Sequence, residues 1–270
     1  MAVIAPCNCQ KIFTWETNKT MSVTKTSPET IKPKAIEIFK ELENGVLELC
    51  KAADVYAMHI MAKLRNSEPD TEVINRILFD NSVSFFNLVG DAYRDDEIKI
   101  LQENKSFRRI GEQILLSSYA ALEIYFIEKF KEYYRFLCKD APQNIVEETL
   151  KRFSFRNLDE IKRHYDEVLG IHLPTVEMDR IVTTNKANFE PESCWDAICM
   201  LAKERNNIAH TGAAKDYQVV TLLDSWYPFE FVRRWVMLFD YNFDMSIYEK
   251  REPPLIKEYK KRFNDTKVKK

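Results

Sequence analysis

Arg205, Asn206, Asn207 and His210 fall within the short run Glu204-Arg205-Asn206-Asn207-Ile208-Ala209-His210. An arginine offers a fixed fork of N–H donors that fits phosphate oxygens. A histidine is the side chain best suited to take and give a proton near neutral pH. On an unbroken helix, positions five apart point about 140° away from each other. Convergence of Arg205 and His210 therefore requires the helix to end, tighten or turn between them, and Thr211-Gly212 is expected to supply that termination. Two readings stay open on spacing alone. One is a phosphate-directed catalytic pair; the other is a salt-bridged surface arginine beside a histidine that interacts with the dipole at a helix end.

Helices are expected to position these residues. Pro191-Glu192-Ser193-Cys194-Trp195 suits a helix start, with Trp195, Ile198, Leu201 and Ala202 on the apolar face. The strongest periodicity spans 106–137, where Phe107, Ile110, Leu115, Tyr119, Leu122, Phe126, Phe130, Tyr133 and Leu137 form one stripe that Arg108, Glu112, Glu128 and Lys131 avoid. Ala35, Ile36, Phe39, Leu42, Val46 and Leu49 predict an earlier helix that ends at Ser67-Glu68-Pro69-Asp70, and a further helical segment is expected near 71–90. The charged stretch Tyr93-Arg94-Asp95-Asp96-Glu97 reads as a junction. Asn157 and Glu160 have the spacing of a capping box ahead of a segment that Gly170 closes. Residues 171–190 read as loop, and a last aromatic helix runs from about Pro228 to Phe243. The expected fold class is all-α. The expected division is an irregular tail over 1–30, a helical N-terminal appendage over 31–100, a helical bundle over 101–248 and a basic tail over 249–270.

Five glycines against seventeen phenylalanines and twelve tyrosines favour long helices over tight turns. No stretch approaches the ~18 uncharged apolar residues of a membrane span, and Met1-Ala2-Val3-Ile4-Ala5-Pro6 makes a poor signal peptide. The six cysteines are expected to be reduced thiols in a cytoplasmic chain rather than a disulfide framework. A formal charge of −2 argues against a protein that coats nucleic acid over a whole face, though not against a local site. Residues 250–270 carry nine Lys or Arg against three acids, so Lys260, Lys261 and Arg262 are weak candidates for contacts to a polyanion, as is Lys203 nearer the motif. A solvated basic terminus explains the same residues. His59, His164 and His172 are isolated, Cys7-x-Cys9 lacks two further ligands, and neither a His-Glu-x-x-His nor a glycine-rich phosphate loop is present, so no metal or cofactor is expected.

The string Leu201-Ala202-Lys203-Glu204-Arg205-Asn206-Asn207-Ile208-Ala209-His210-Thr211-Gly212 resembles the signature of the HEPN superfamily (higher eukaryotes and prokaryotes nucleotide-binding). Ribonuclease branches of that family carry Arg, a polar residue, a few more residues and then His; here these positions are Arg205, Asn206 and His210. Leu116-Ser117-Ser118-Tyr119-Ala120-Ala121-Leu122-Glu123-Ile124-Tyr125 is similar to the long first helix of the stand-alone bacterial members found in toxin–antitoxin and phage-defence settings. The likeness covers roughly 105–245 and leaves 31–100 and the basic terminus unexplained.

The resemblance implies a HEPN-type helical bundle, extended here by a helical N-terminal region, that pairs as a homodimer with two motifs in one cleft. It implies an endoribonuclease working without a metal, with RNA as substrate and an antitoxin or defence-complex protein as a further partner. A ribose 2′-hydroxyl would attack the adjacent phosphate, leaving a cyclic phosphate and a free 5′-hydroxyl. His210 would move the proton, Arg205 would stabilise charge on the phosphoryl oxygens, and Asn206 would hold the ring or phosphate in register. Tyr119, Glu123 and Asn207 are supporting candidates. Glu123 would face the cleft and orient Arg205, or else stand as a surface glutamate beside an apolar stripe. The alternatives in other classes are a non-catalytic module binding RNA, a nucleotide or protein, and a structural partner in a defence complex docking through 31–90.

Overall fold

The computed structural model describes residues 35–80, 95–176, 193–215 and 227–247, and these residues have an all-α, helical-bundle fold. The helices are α1 (Ala35–Leu64), α2 (Thr71–Phe79), α3 (Asp95–Glu103), α4 (Lys105–Leu137), α5 (Gln143–Leu150), α6 (Leu158–His164), α7 (Cys194–Thr211) and α8 (Tyr227–Ile247). No helix of the described residues is long and apolar enough to cross a membrane. The expected tails over 1–30 and 249–270, the second half of the 71–90 segment and most of the 171–190 loop lie outside the described residues.

The described chain divides into two compact units, and α4 contributes residues to both. One unit comprises residues 35–38 and 125–173. Its centre is aromatic: Phe130 meets Phe153, Phe155 and Tyr165 at ring-centroid distances of 5.0, 5.3 and 5.8 Å, mostly edge to face as ring quadrupoles prefer. The Tyr165 hydroxyl donates to the Phe126 carbonyl at 2.7 Å, so this buried ring keeps its polar end paired. Asn157 caps α6 by accepting from the Glu160 N–H at 2.9 Å, and Glu160 accepts in return from the Arg156 N–H. A π-helical turn over Tyr165–Leu169 then ends at Gly170, whose φ of +68° places it in the left-handed region.

The other unit holds the described residues between 39 and 124 and those from Pro174 onward. Val46, Leu47, Cys50, Ala53, Ala57, Met58 and Met61 of α1 form one apolar cluster with Ile77, Leu101, Phe107, Ile114 and Phe229. Asp70 caps α2, accepting from the N–H groups of Glu72 and Val73. Trp235 stacks on Phe239 at 5.0 Å in α8, and its indole N–H donates to the Val176 carbonyl at 3.3 Å. Cys50, Cys138, Cys194 and Cys199 are not in disulfides.

Several expectations are corrected. Asp95-Asp96-Glu97 opens a helix instead of a junction, and the buried Glu97 accepts two hydrogen bonds of 2.9 and 2.8 Å from Arg65, just past the end of α1. Glu112 does not avoid the inward stripe of α4; it is buried. Leu137, at the last position of α4, is exposed. Ser193 caps α7, which begins at Cys194; Pro191 and Glu192 lie outside the described residues.

Candidate functional site

Helix α7 sorts its residues cleanly. Cys194, Ala197, Ile198, Leu201, Glu204 and Ile208 are buried, while Cys199, Lys203, Asn206 and His210 recur at spacings of four, three and four along an exposed stripe. At its start, Ser193 Oγ accepts from the Asp196 N–H at 3.0 Å. At its end, Gly212 adopts φ +73° and its N–H donates to the Ile208 carbonyl at 2.8 Å.

That ending corrects the expected convergence. The helix runs unbroken through Thr211, so Arg205 and His210 leave the axis about 140° apart. Arg205 points instead toward α4. Its Nη1 donates to Asn206 Oδ1 at 2.9 Å, its Nη2 reaches Glu123 Oε2 at 3.4 Å, and its guanidinium carbon lies 5.9 Å from the Tyr119 ring centroid, within cation–π range. Tyr119 and Glu123 are one turn apart on α4, so a single helix face supplies the aromatic floor and the carboxylate. Asn206 bridges the angular gap: it accepts from Arg205 and shares the exposed stripe with His210, four residues on.

His210 is exposed and, among the described residues, takes no hydrogen bond through its ring. Asn207 turns away from Arg205, its Nδ2 donating to Glu204 Oε1 at 2.7 Å. Lys203 lies exposed on the same stripe as Asn206 and His210; Lys260, Lys261 and Arg262 lie outside the described residues. His59 and His164 bond the carbonyls of Val55 and Ser154, and His172 bonds Asp166. No three His, Cys, Asp or Glu side chains gather into a metal-binding group among the described residues. Glu204, Glu112, Arg108 and Arg109, which brace the turn after His210, were not singled out by spacing; a glutamate next to Arg205 was the only local cue.

The Arg205–Glu123 pair adds little to stability. The guanidinium is 39% exposed, and ion pairs so open to water contribute about 0–1 kcal/mol. Burial raises the Glu123 carboxyl above the usual carboxylate range, and the Arg205 charge offsets that only in part. A carboxyl whose pKa is higher in the folded than in the unfolded chain loses stability as pH rises from the ordinary carboxylate range through the folded value. Glu123→Gln is therefore expected to keep or raise the melting temperature at neutral pH and to flatten its dependence on pH. Thermal melts of both forms from acidic to neutral pH check this; a clear loss of stability at neutral pH would show that the charge is there to hold the fold.

Gly212 gives a second stability test. A Cβ at this position would meet nothing within 4 Å, so only backbone conformation opposes a side chain. Gly212→Ala is expected to cost about 1–2 kcal/mol in chemical denaturation, and Gly212→Asn less, because Asn tolerates left-handed φ.

Comparison with family models, with curated proteins and with solved structures found no significant match for this chain.

Proposed function

We propose that the protein is a HEPN-type endoribonuclease that cuts single-stranded or transfer RNA without a metal, in a toxin or antiviral defence role. The observation that carries this reading is the placement of Arg205: a half-exposed guanidinium bonded to Asn206 and Glu123 and lying over Tyr119, with further N–H groups available to phosphate oxygens. A donor held before substrate arrives needs no reorganisation as charge builds on the phosphoryl oxygens. Exposure of His210 supports proton transfer to a bound ribose or leaving oxygen, whereas burial against Trp195 or Phe239 would favour a binding module.

The chemistry assigns the parts. His210 removes the proton from the 2′-hydroxyl as the ribose oxygen bonds to phosphorus and the bond to the 5′-oxygen breaks. A protonated histidine delivers a proton to that leaving oxygen. Arg205 and His210 diverge on one α7; the complementary acid and base are the His210 side chains of two copies of the chain meeting across a homodimer, with Asn206 keeping Arg205 in register with the exposed stripe.

Pure full-length protein at high concentration is expected to cut single-stranded and transfer RNAs with chelator present and salt varied. A diverse set of RNAs left intact under all these conditions would contradict the proposal.

A further inference from the structure

Every residue from Thr211 to Lys215, immediately after His210, is tied down. Thr211 Oγ1 lies 2.7 Å from the Asn207 carbonyl and 3.0 Å from the Ala213 carbonyl, and its one hydrogen is shared between them. Arg109 donates to the Gly212 carbonyl, and Arg108 Nη2 donates to the Ala214 carbonyl at 2.7 Å. The Ala214 N–H donates to Glu112 Oε1 at 3.0 Å, and the Lys215 N–H donates to Glu204 Oε2 at 2.7 Å.

Two of these acceptors are carboxylates almost wholly removed from water, Glu112 at 1% exposure and Glu204 at 3%. A buried carboxylate is costly unless charges and donors meet it. Glu112 has both: Arg109 Nη1 lies 2.6 Å from Oε2, Arg108 Nε lies 3.5 Å from Oε1, and the Ala214 N–H completes the set. Ending a helix needs far less, since a left-handed glycine already satisfies the last carbonyls. The additional bonds join the start of α4 to a turn more than a hundred positions later in the chain, just beyond the candidate histidine.

We propose that Glu112 is a positioning residue for His210. It braces the 212–215 turn, the turn fixes the last turn of α7, and the last turn sets the direction of an imidazole that has no hydrogen bond of its own among the described residues. The effect on catalysis rests on the ribonuclease reading; the effect on His210 does not.

Imidazole proton NMR signals of the full-length chain separate the two. The chain has four histidines, so the His210 signal can be assigned by its loss in His210→Gln. In Glu112→Gln the His210 signal is expected to shift and broaden while those of His59, His164 and His172 stay in place. RNA turnover is expected to fall about 10–10²-fold through kcat, with KM little changed, as for a misplaced reacting group. Arg109→Ala, made at an exposed side chain, should move the same signal less and guards against a Glu112→Gln chain that fails to fold. An unmoved His210 signal in both variants overturns the proposal, as does unchanged kcat in a wild type that cuts RNA. A His210 signal that moves in a chain that never cuts RNA keeps the positioning and discards the ribonuclease.

Discussion

His210→Ala is expected to lower RNA cleavage about 10²–10⁴-fold, the usual contribution of a positioned general acid or base. Arg205→Ala is expected to cost about 10²–10³-fold, as when one preorganised donor to a developing oxyanion is removed. Neither loss should come from unfolding. His210 is exposed and Arg205 is only partly covered, so each variant should stay within about 0.5 kcal/mol of the wild type in stability. The losses should not add in a double variant, because residues acting on one transition state fail together. A composite site makes a further demand: a dimer mixed from one wild-type and one His210→Ala chain lacks one of the two histidines that meet in the cleft, so its activity should fall well below half that of the wild type. Mixed dimers that keep half the wild-type activity would place all the chemistry within one copy.

The largest effect on stability is expected at Trp235. This side chain is fully buried, stacks on Phe239 at 5.0 Å and supplies the indole N–H bonded to the Val176 carbonyl. Trp235→Ala opens a large cavity and should cost about 3–5 kcal/mol. It also leaves the buried Val176 carbonyl without that donor. Against a typical domain stability of about 5–15 kcal/mol, such a loss would lower the urea midpoint severely. Trp235→Phe, which keeps a ring but not the N–H, should cost much less. Circular dichroism across a urea titration measures both, and a change below about 1 kcal/mol for Trp235→Ala would contradict the packing described here.

The helices were legible wherever a residue's environment is set by its own turn. The α4 stripe, the Asn157 cap and the Gly170 and Gly212 stops are all local events, governed by helical period and by φ. Burial of Glu112 was not legible, because its partners include the Ala214 N–H more than a hundred residues away. Leu137 was misplaced because a stripe continues in sequence after the helix has passed the edge of its packing. α5 was missed because eight residues give the helical period little room to show itself.

The candidate site was legible in its residues and not in its arrangement. The motif located Arg205, Asn206 and His210, and α4 placed Tyr119 and Glu123 against Arg205. The expected break between Arg205 and His210 failed for a local reason. With Gly212 as the left-handed residue, the chain stays helical through Thr211, one position beyond the histidine. That geometry turns Arg205 toward α4 and leaves His210 on the exposed stripe with Asn206.

The chemical ends left on RNA by the full-length protein in the presence of EDTA decide whether this chain is a metal-independent ribonuclease. On that reading the expected ends are a 2′,3′-cyclic phosphate and a 5′-hydroxyl, unaffected by the chelator and absent with Arg205→Ala and His210→Ala. Ends bearing a 3′-hydroxyl and a 5′-phosphate, cleavage that disappears with EDTA, or cleavage that survives in folded His210→Ala would contradict it.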